Sequence, residues 1–514
     1  MPVMIELSTS LIICCSWEIH WHQRSYTVVK DMSAQFNAQS ILDATGGRII
    51  FGEIPDTSGS ICGDIRELKA GQWFIALPDT TADGHDYLEE AMHRGAIGCV
   101  VVDCRQYPFA APNSLLIGVS STLQAYYELA KVVRRRVNPK VIAITGSSGK
   151  STTRDMCSSI LSLKFRTHAS LSYRPDARSL AMTLLTMPET TEVLVAELAQ
   201  RGRGQISWLG AMIAPDIAVI TNIGLAHLDT LGSIENIAAA KCELLECLSR
   251  DSGTAILGDG NPHLLKRAER VFESDRTLVL DENNLEAFAV TPETTVFVLS
   301  GSDTLFELKA HGSGYLRDAW CAVACGRVLG MSDFHIAQGL HAYTAPRGRG
   351  NKVIGVSGAL IIDESYSATP ESVRAAVTAF LDKRAVPHSR KYIVLGEMQE
   401  LGDASDGIHS KVGQWLSELH FDGLVTIGTA AANIARGARN AGFETFTCTN
   451  AIEAYNLLSS KLDETTSVLV DGSDSTELRA VIKLLVSSRI AKLSPGTKSK
   501  NAVKLSHTGN FLIA

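Results

Sequence analysis

Residues 141–154 read Val-Ile-Ala-Ile-Thr-Gly-Ser-Ser-Gly-Lys-Ser-Thr-Thr-Arg, and no other stretch restricts the fold as much. Val141 to Ile144 is a short apolar run, the pattern of a buried strand. Thr145, Gly146, Ser147, Ser148 and Gly149 are small, so the backbone there turns sharply and lies close to a ligand. Lys150 and Ser151 open a run to Leu163 whose pattern predicts a helix. Strand, glycine loop, Lys-Ser and helix make a phosphate cradle. Loop amides and the helix N-terminus face the anion, Lys150 adds charge, and Ser151 offers a hydroxyl to Mg²⁺. The strict spacing needs a glycine where Ile144 stands, so this is the shorter Gly-x-x-Gly-Lys-Ser form.

A cradle of this kind belongs in an α/β protein, and 514 residues are too many for one core. The expectation is three domains. Residues 35–138 read as a small mixed α/β unit ending at the cluster Arg134, Arg135, Arg136, whose cations complement the end of their own helix. Residues 139–344 read as a mostly parallel sheet carrying the phosphate loop, followed by antiparallel structure over 294–308. Residues 345–490 alternate strand and helix in a Rossmann-like way, after a linker at 346–351. Residues 1–34 read as an extension of unknown role, with Trp17, His20, Trp21 and His22 in it, and 491–514 as a flexible tail.

The net charge of −7 argues against a general nucleic-acid binder. The 11 cysteines are odd in number and include no Cys-x-x-Cys, which predicts reduced thiols and a cytoplasmic protein. No apolar run reaches the roughly 18 residues of a membrane span.

Three further polar residues fall at predicted strand ends or on a nearby helix of the middle unit. Glu197 ends Glu-Val-Leu-Val-Ala-Glu, where a carboxylate suits Mg²⁺. His227 follows Asn222-Ile-Gly-Leu-Ala, and Lys241 lies in a predicted helix over 234–247. Singly each reads as an ordinary structural or solvated residue.

Their order resembles the Mur ligases. Thr-Gly-x-x-Gly-Lys-Ser is followed by Glu197, by Asn222…Ala226-His227-Leu228, and by Ala240-Lys241-x-Glu243. Asp64-x-Arg66 and Asp83-Gly84-His85-Asp86 resemble the family's first domain. Gly348-Arg349, Asp363-Glu364-Ser365-Tyr366 and the run Val394 to Gly402 resemble its third. The resemblance implies an ATP-dependent ligase that joins a carboxylate to an amine through an acyl phosphate. Nearest is the branch that adds D-alanyl-D-alanine to a UDP-MurNAc-peptide in peptidoglycan precursor synthesis.

By that resemblance the ATP site is Thr145, Gly146, Ser147, Ser148, Gly149, Lys150, Ser151, Thr152, Asn222, Arg349 and Asp363. Lys150, His227 and Lys241 are catalytic. Ser151 and Glu197 hold one Mg²⁺, while His227 and a carbamylated Lys241 hold another. Asp64, Arg66 and Tyr366 contact a nucleotide-sugar peptide substrate, the acceptor is an amino acid or dipeptide, and the protein is a monomer.

The sequence also departs from the family. Paired Asn residues are missing at 172–176, and His-Asn and a following Asn appear as Gly314-Tyr315 and Asp318. Tyr-Asn-Ala-Asn is Tyr366-Ser367-Ala368-Thr369, Lys-Gly-Ser-Arg is Asp471-Gly472-Ser473-Asp474, and Ile65 and Asp79 depart in the first domain. Two acids for two cations predict a reversed local charge that disfavours a carboxylate-bearing acceptor. Three other readings remain open at this point: a divergent ligase for another carboxylate and amine, a simple NTPase, and a non-catalytic ATP-binding partner protein.

Overall fold

The computed structural model describes residues 33–486, apart from 80–81, 106, 108–114, 171–175, 273–274, 281–283, 292–293, 311–312, 356, 385, 388, 440 and 474–476. The expectations for residues 1–32, 172–175, 474 and 491–514 therefore lie outside the described residues.

The chain folds into mixed α/β structure around four sheets. The first has five strands between Arg48 and Val119. Only its edge strand Arg48–Phe51 runs antiparallel to its neighbour. The second has six strands, all parallel, in the order 277–279, 254–257, 217–220, 140–145, 193–197, 167–169. Strand Lys140–Thr145 is thus flanked by two later strands, on opposite sides, and the chain leaves it in both directions. A crevice forms outside the carboxyl end of such a strand. Three antiparallel strands follow, 285–290, 295–299 and 305–308. The fourth sheet has six strands between Asn351 and Asp471, parallel except for the edge strand Asn351–Ile354. That edge strand takes up the last residue of the expected linker. No helix among the described residues is long and apolar enough to cross a membrane.

Helix Thr122–Val137 joins the first two sheets. Ser121 caps it by accepting from Gln124 N–H (3.2 Å), and Asn138, at φ 48°, ends it. Ala125, Tyr126, Leu129, Ala130 and Val133 recur at helical spacing and are buried. They share one continuous core with Leu180 and Leu184 of helix Ala177–Leu185 and with Met212 and Ile213 of helix Gln205–Ile213. Arg134 does not cap its own helix. Its buried guanidinium donates to Ile213 O (2.5 Å) and Ala214 O (3.1 Å), at the C-terminus of the neighbouring helix. Arg136 reaches Gln35 O (2.8 Å) and lies over the Phe36 ring. Arg134 is a weld between bodies, because the carbonyls it satisfies stand at the end of another helix.

The fourth sheet has its own two cores, one on each face. Leu225 and Val290, from before that sheet, pack against the first of these cores.

Helix Lys150–Leu161 buries Met156, Cys157, Ile160 and Leu161 against helices Ser313–Val328 and Asp333–Ala342. Gly339 lies so close that a Cβ there would stand 2.4 Å from Ile160 Cα. This packing fixes the helix whose first turn forms half of the phosphate cradle.

Candidate active site

A single cavity of about 1320 Å³ opens at the carboxyl end of strand Lys140–Thr145. That volume exceeds an ordinary small-ligand pocket and has room for a nucleotide beside a second substrate.

The loop enters it under tight restraint. Gly146 sits at φ 151°, and a Cβ there would come within 1.8 Å of Thr221 Oγ1. Gly149 sits at φ 78°, where a Cβ would meet Asp318 Oδ1 at 2.0 Å. Only glycine satisfies both the turn and the closeness. Thr221 and Asn222, just past strand Ile217–Ile220, hold the loop from behind. Thr221 Oγ1 donates to Ser148 O (2.5 Å), Asn222 Nδ2 donates to Ser148 Oγ (2.7 Å), and Asn222 Oδ1 accepts from Ser148 N–H (3.0 Å). Ser147 Oγ accepts from Gly224 N–H (2.8 Å). Asn222 thus acts on the loop itself.

Lys150 Nζ turns back onto its own loop, donating to Gly146 O (3.0 Å) and Ser147 O (3.2 Å). Burial lowers its pKa, partly offset by the charges of Glu197 and Glu400. Lys241 Nζ, from helix Ile234–Cys242, donates to the same Gly146 O (3.0 Å) from beneath. It is 1% exposed. Burial, and then the charge of Lys150, push its pKa well below that of a free lysine. Two amines on one carbonyl form an electrostatically poor arrangement unless one is neutral or modified. Glu243, two residues beyond Lys241, accepts from Gly204 N–H (2.7 Å) and Ser207 N–H (3.2 Å), capping helix Gln205–Ile213.

Glu197 ends strand Val193–Glu197 and lines the cavity. Its Oε2 accepts from Arg154 Nη1 (3.1 Å), and both side chains are buried. Arg154 stands one turn beyond Lys150 and also holds Asp155 (2.7 Å).

His227 lines the cavity with φ 65°, and its Nδ1 lies 2.7 Å from Glu400 Oε2. That contact holds the Glu400 carboxyl below the usual range. Glu371, at the start of helix Pro370–Leu381, accepts from Leu225 N–H through Oε1 (3.1 Å), while its buried Oε2 has no protein partner.

The body built on the fourth sheet also brings Arg349 and Tyr366 to the cavity. Arg349 stacks over the Tyr366 ring at 4.0 Å and donates to Thr152 Oγ1 (3.3 Å), bridging to the phosphate-loop helix.

The cavity therefore gathers Ser147, Ser148, Gly149, Lys150, Ser151, Thr152, Glu197, Asn222, His227, Arg349 and Tyr366. Thr145, Gly146 and Lys241 lie just behind its wall. Asp363 is buried beside it, accepting from Ser365 N–H (3.1 Å) and Ser365 Oγ (2.6 Å). Asp64 and Arg66 do not reach it; the exposed Arg66 guanidinium forks onto Asp64. Among the described residues no three His, Cys, Asp or Glu side chains stand together as a metal site, so hydroxyl or modified-lysine donors would have to complete one.

Asp471, one of the two acids behind the expected charge reversal, is buried. It is 2% exposed, its Oδ2 has no protein partner, and burial followed by the charge of Glu364 raises its pKa well above the carboxylate range. Burial thus favours the uncharged form of Asp471 and works against the expected repulsion of a carboxylate; Asp474, the other acid of that expectation, lies outside the described residues. Glu364, its register partner in the sheet, is pushed to about 7 by burial and accepts from Tyr315 OH (2.9 Å).

Asp318 lies against Gly149 with its pKa pushed by burial from 3.8 to about 8. Because the folded value is the higher one, its contribution to stability is complete below the unfolded value of 3.8 and is lost as pH rises through about 8. Asp318→Asn should therefore be more stable than wild type, with the gap widening by on the order of 3 kcal/mol between about pH 5.5 and about pH 8. Urea midpoints at the two pH values measure it. A gap that does not widen would show that Asp318 is ionised in the fold.

With this geometry in place, the chain can be set beside known proteins. Residues 144–326 match the Mur ligase middle domain, and residues 348–474 match the Mur ligase glutamate ligase domain. The UDP-N-acetylmuramoyl-tripeptide--D-alanyl-D-alanine ligase of Bacillus subtilis is 32% identical over 434 residues, covering 84% of this chain and 94% of that protein. The chain belongs to the Mur ligase family. The Escherichia coli ligase of the same name is 29% identical, covering 84% of this chain and 94% of that one. A MurF crystal structure from Acinetobacter baumannii superposes with a TM-score of 0.77 at 27% identity, covering 88% and 99% of the two chains. A Thermotoga maritima MurF ligase, solved in complex with ADP, shares the fold at a TM-score of 0.72 and 24% identity, covering 83% of this chain and 97% of that one.

For this Mur ligase the sequence pointed to Lys150, Ser151, Glu197 and His227, and the fold brings them to one cavity. It missed Arg154, Glu371 and Glu400. Arg154 carried a signal, a cation four residues beyond Lys150 on a helix otherwise patterned for burial. Glu400 lay inside a quoted motif without a role, since its partner is 173 residues away.

Proposed function

We propose that this chain is an ATP-dependent carboxylate–amine ligase that adds D-alanyl-D-alanine to a UDP-MurNAc-tripeptide, the reaction named for its relatives. One observation carries the reading. A single cavity unites the phosphate loop, Glu197 and His227 with Arg349 and Tyr366 of a second body, in a chain collinear with those ligases over most of its length.

The loop N–H groups and the start of helix Lys150–Leu161 cradle the ATP phosphates, consistent with the ADP held by the Thermotoga maritima relative. Lys150 exchanges its two loop carbonyls for phosphate oxygens, and Arg349 reaches the nucleotide from the far side. The peptide carboxylate attacks the γ-phosphorus, the bond to the β,γ-bridging oxygen breaks, and ADP leaves. The dipeptide nitrogen then attacks the acyl-phosphate carbon, gives up a proton and expels inorganic phosphate. Lys150 lowers the barrier of the first step by neutralising charge that spreads over the transferring group.

Ser151 and Glu197 are assigned to one Mg²⁺, and His227 with a carbamylated Lys241 to another. Bound there, Mg²⁺ supplies further neutralisation of the phosphoryl oxygens. The residues fit. Ser151, Glu197 and His227 line the one cavity, and burial, which lowers the Lys241 pKa, favours the neutral amine that takes up CO₂ to become an anionic oxygen ligand. Asp64 and Arg66 are assigned to the nucleotide-sugar end of the substrate. We place the protein in the cytoplasm as a monomer, each chain holding a whole cavity.

The test supplies ATP, Mg²⁺, UDP-MurNAc-tripeptide and D-alanyl-D-alanine, and follows ADP release together with the mass of the peptide product. Stoichiometric ADP and pentapeptide are expected. ADP release without an acceptor would make the protein an NTPase. Turnover with a different carboxylate–amine pair, about 100-fold faster by kcat/KM, would reassign the substrate.

A further inference from the structure

We propose that Glu400 is a positioning residue for His227, so that a divalent-cation site in the cavity is completed only when the body carrying Glu400 is docked. This rests on the reading above that His227 ligates a cation.

Four non-glycine residues among those described hold a positive φ: Asn138, Ala214, His227 and Glu400. The last two touch each other. His227 at φ 65° and Glu400 at φ 63° belong to different bodies, and their side chains meet at 2.7 Å. A left-handed conformation at a residue with a Cβ costs on the order of 1 kcal/mol, and it persists where the surroundings fix it. Here each strained turn is held by the other. Asp229 N–H donates to Glu400 O (3.2 Å). Gly402, at φ 55°, lies against Asp229 so closely that a Cβ would stand 2.9 Å from its Cα. At the other end of the same turn, Glu371 accepts from Leu225 N–H (3.1 Å). The segment 225–229 is thus clamped by the other body at both ends, by the Glu371 carboxylate at Leu225 and by the Glu400 main-chain carbonyl at Asp229, with the Glu400 carboxylate on His227 between them.

Neutral imidazole has one N–H and one lone pair. When Nδ1–H donates to Glu400, the lone pair is fixed on Nε2 and the ring is aimed, the arrangement in which a carboxylate prepares a histidine for a metal. Undocking removes Glu400, and both tautomer and ring angle are released. Linkage makes the effect reciprocal: cation binding must favour docking by as much as docking favours the cation.

The experiment titrates Mn²⁺ into the full-length protein with saturating AMP-PNP and bicarbonate, read by electron paramagnetic resonance. Docking is followed in parallel by small-angle scattering. Glu400→Ala should weaken one Mn²⁺ site about tenfold and reduce the compaction that Mn²⁺ produces. Glu400→Gln should stay within about threefold of wild type, since its amide oxygen accepts the same N–H. The Glu400 side chain is 36% exposed, so both variants should fold, and a thermal melt checks this. His227→Ala separates the two claims. If it loses the site while Glu400→Ala binds Mn²⁺ as wild type does, the positioning role is overturned and the ligase reading stands. If His227→Ala itself binds like wild type, His227 is no ligand and both fall.

Discussion

Lys150→Ala should abolish ligation while leaving the fold intact. The Lys150 amine touches only the carbonyls of Gly146 and Ser147, and its stem lies at the first residue of a helix whose packing begins farther along. Its removal also takes away a cation that disfavours the charged form of Lys241, so no loss of thermal stability is expected. Catalysis is different. A preorganised charge aimed at the transferring phosphoryl group is worth on the order of 3 kcal/mol or more, about 10² to 10³ in kcat. ADP release with both substrates present, alongside a thermal melt, measures the two effects separately. Activity within about tenfold of wild type would remove Lys150 from the phosphoryl-transfer step.

Lys241 should give the second large effect, and a choice of variants isolates its cause. Lys241→Ala deletes a buried stem and opens a cavity beneath the loop, so any lost activity would be entangled with lost packing. Lys241→Met keeps most of the volume and removes only the amine. If a carbamate on Lys241 serves as an oxygen ligand, Lys241→Met should fold normally and lose at least about 10² in kcat. Short carboxylates should partly restore Lys241→Ala, where a small anion has room to stand in for the carbamate, and should do nothing for the methionine variant. Wild-type protein equilibrated with ¹³C-bicarbonate should show a carbamate resonance that Lys241→Met lacks. Wild-type rates in Lys241→Met, with no such resonance in the parent, would return Lys241 to an unmodified buried amine on Gly146 O.

What the sequence made legible, and what it hid, divides along physical lines. The phosphate loop was readable because its chemistry is local, with strand, small residues, Lys-Ser and helix all contiguous. Glu197 and His227 were readable by position, since both fall where strands of a parallel sheet end. Arg154–Glu197 and Glu400–His227 were not, because each pair is made by the fold from distant segments. Asp471 shows the opposite failure. Its identity was in plain view, but the burial that opposes its charge was not. Arg134 shows a third kind. The basic run at a helix end was correctly seen, yet the carbonyls it satisfies belong to a neighbour. Composition and order specify elements and local motifs; protonation and partnership depend on what packs around them.

The unequal joining of the bodies has a consequence for how such a chain can change over generations. The first two sheets share one core through helix Thr122–Val137, whereas the fourth sheet carries cores of its own. A substitution in the shared core acts on the strand that leads into the phosphate loop, since Val141 and Ala143 belong to that core. Ser367, Thr369 and Ser473 stand on the fourth-sheet body and line the cavity. Cavity-lining residues of the fourth-sheet body thus rest on cores separate from the one beneath the phosphate loop, so a change at those positions has no shared core through which to disturb that loop.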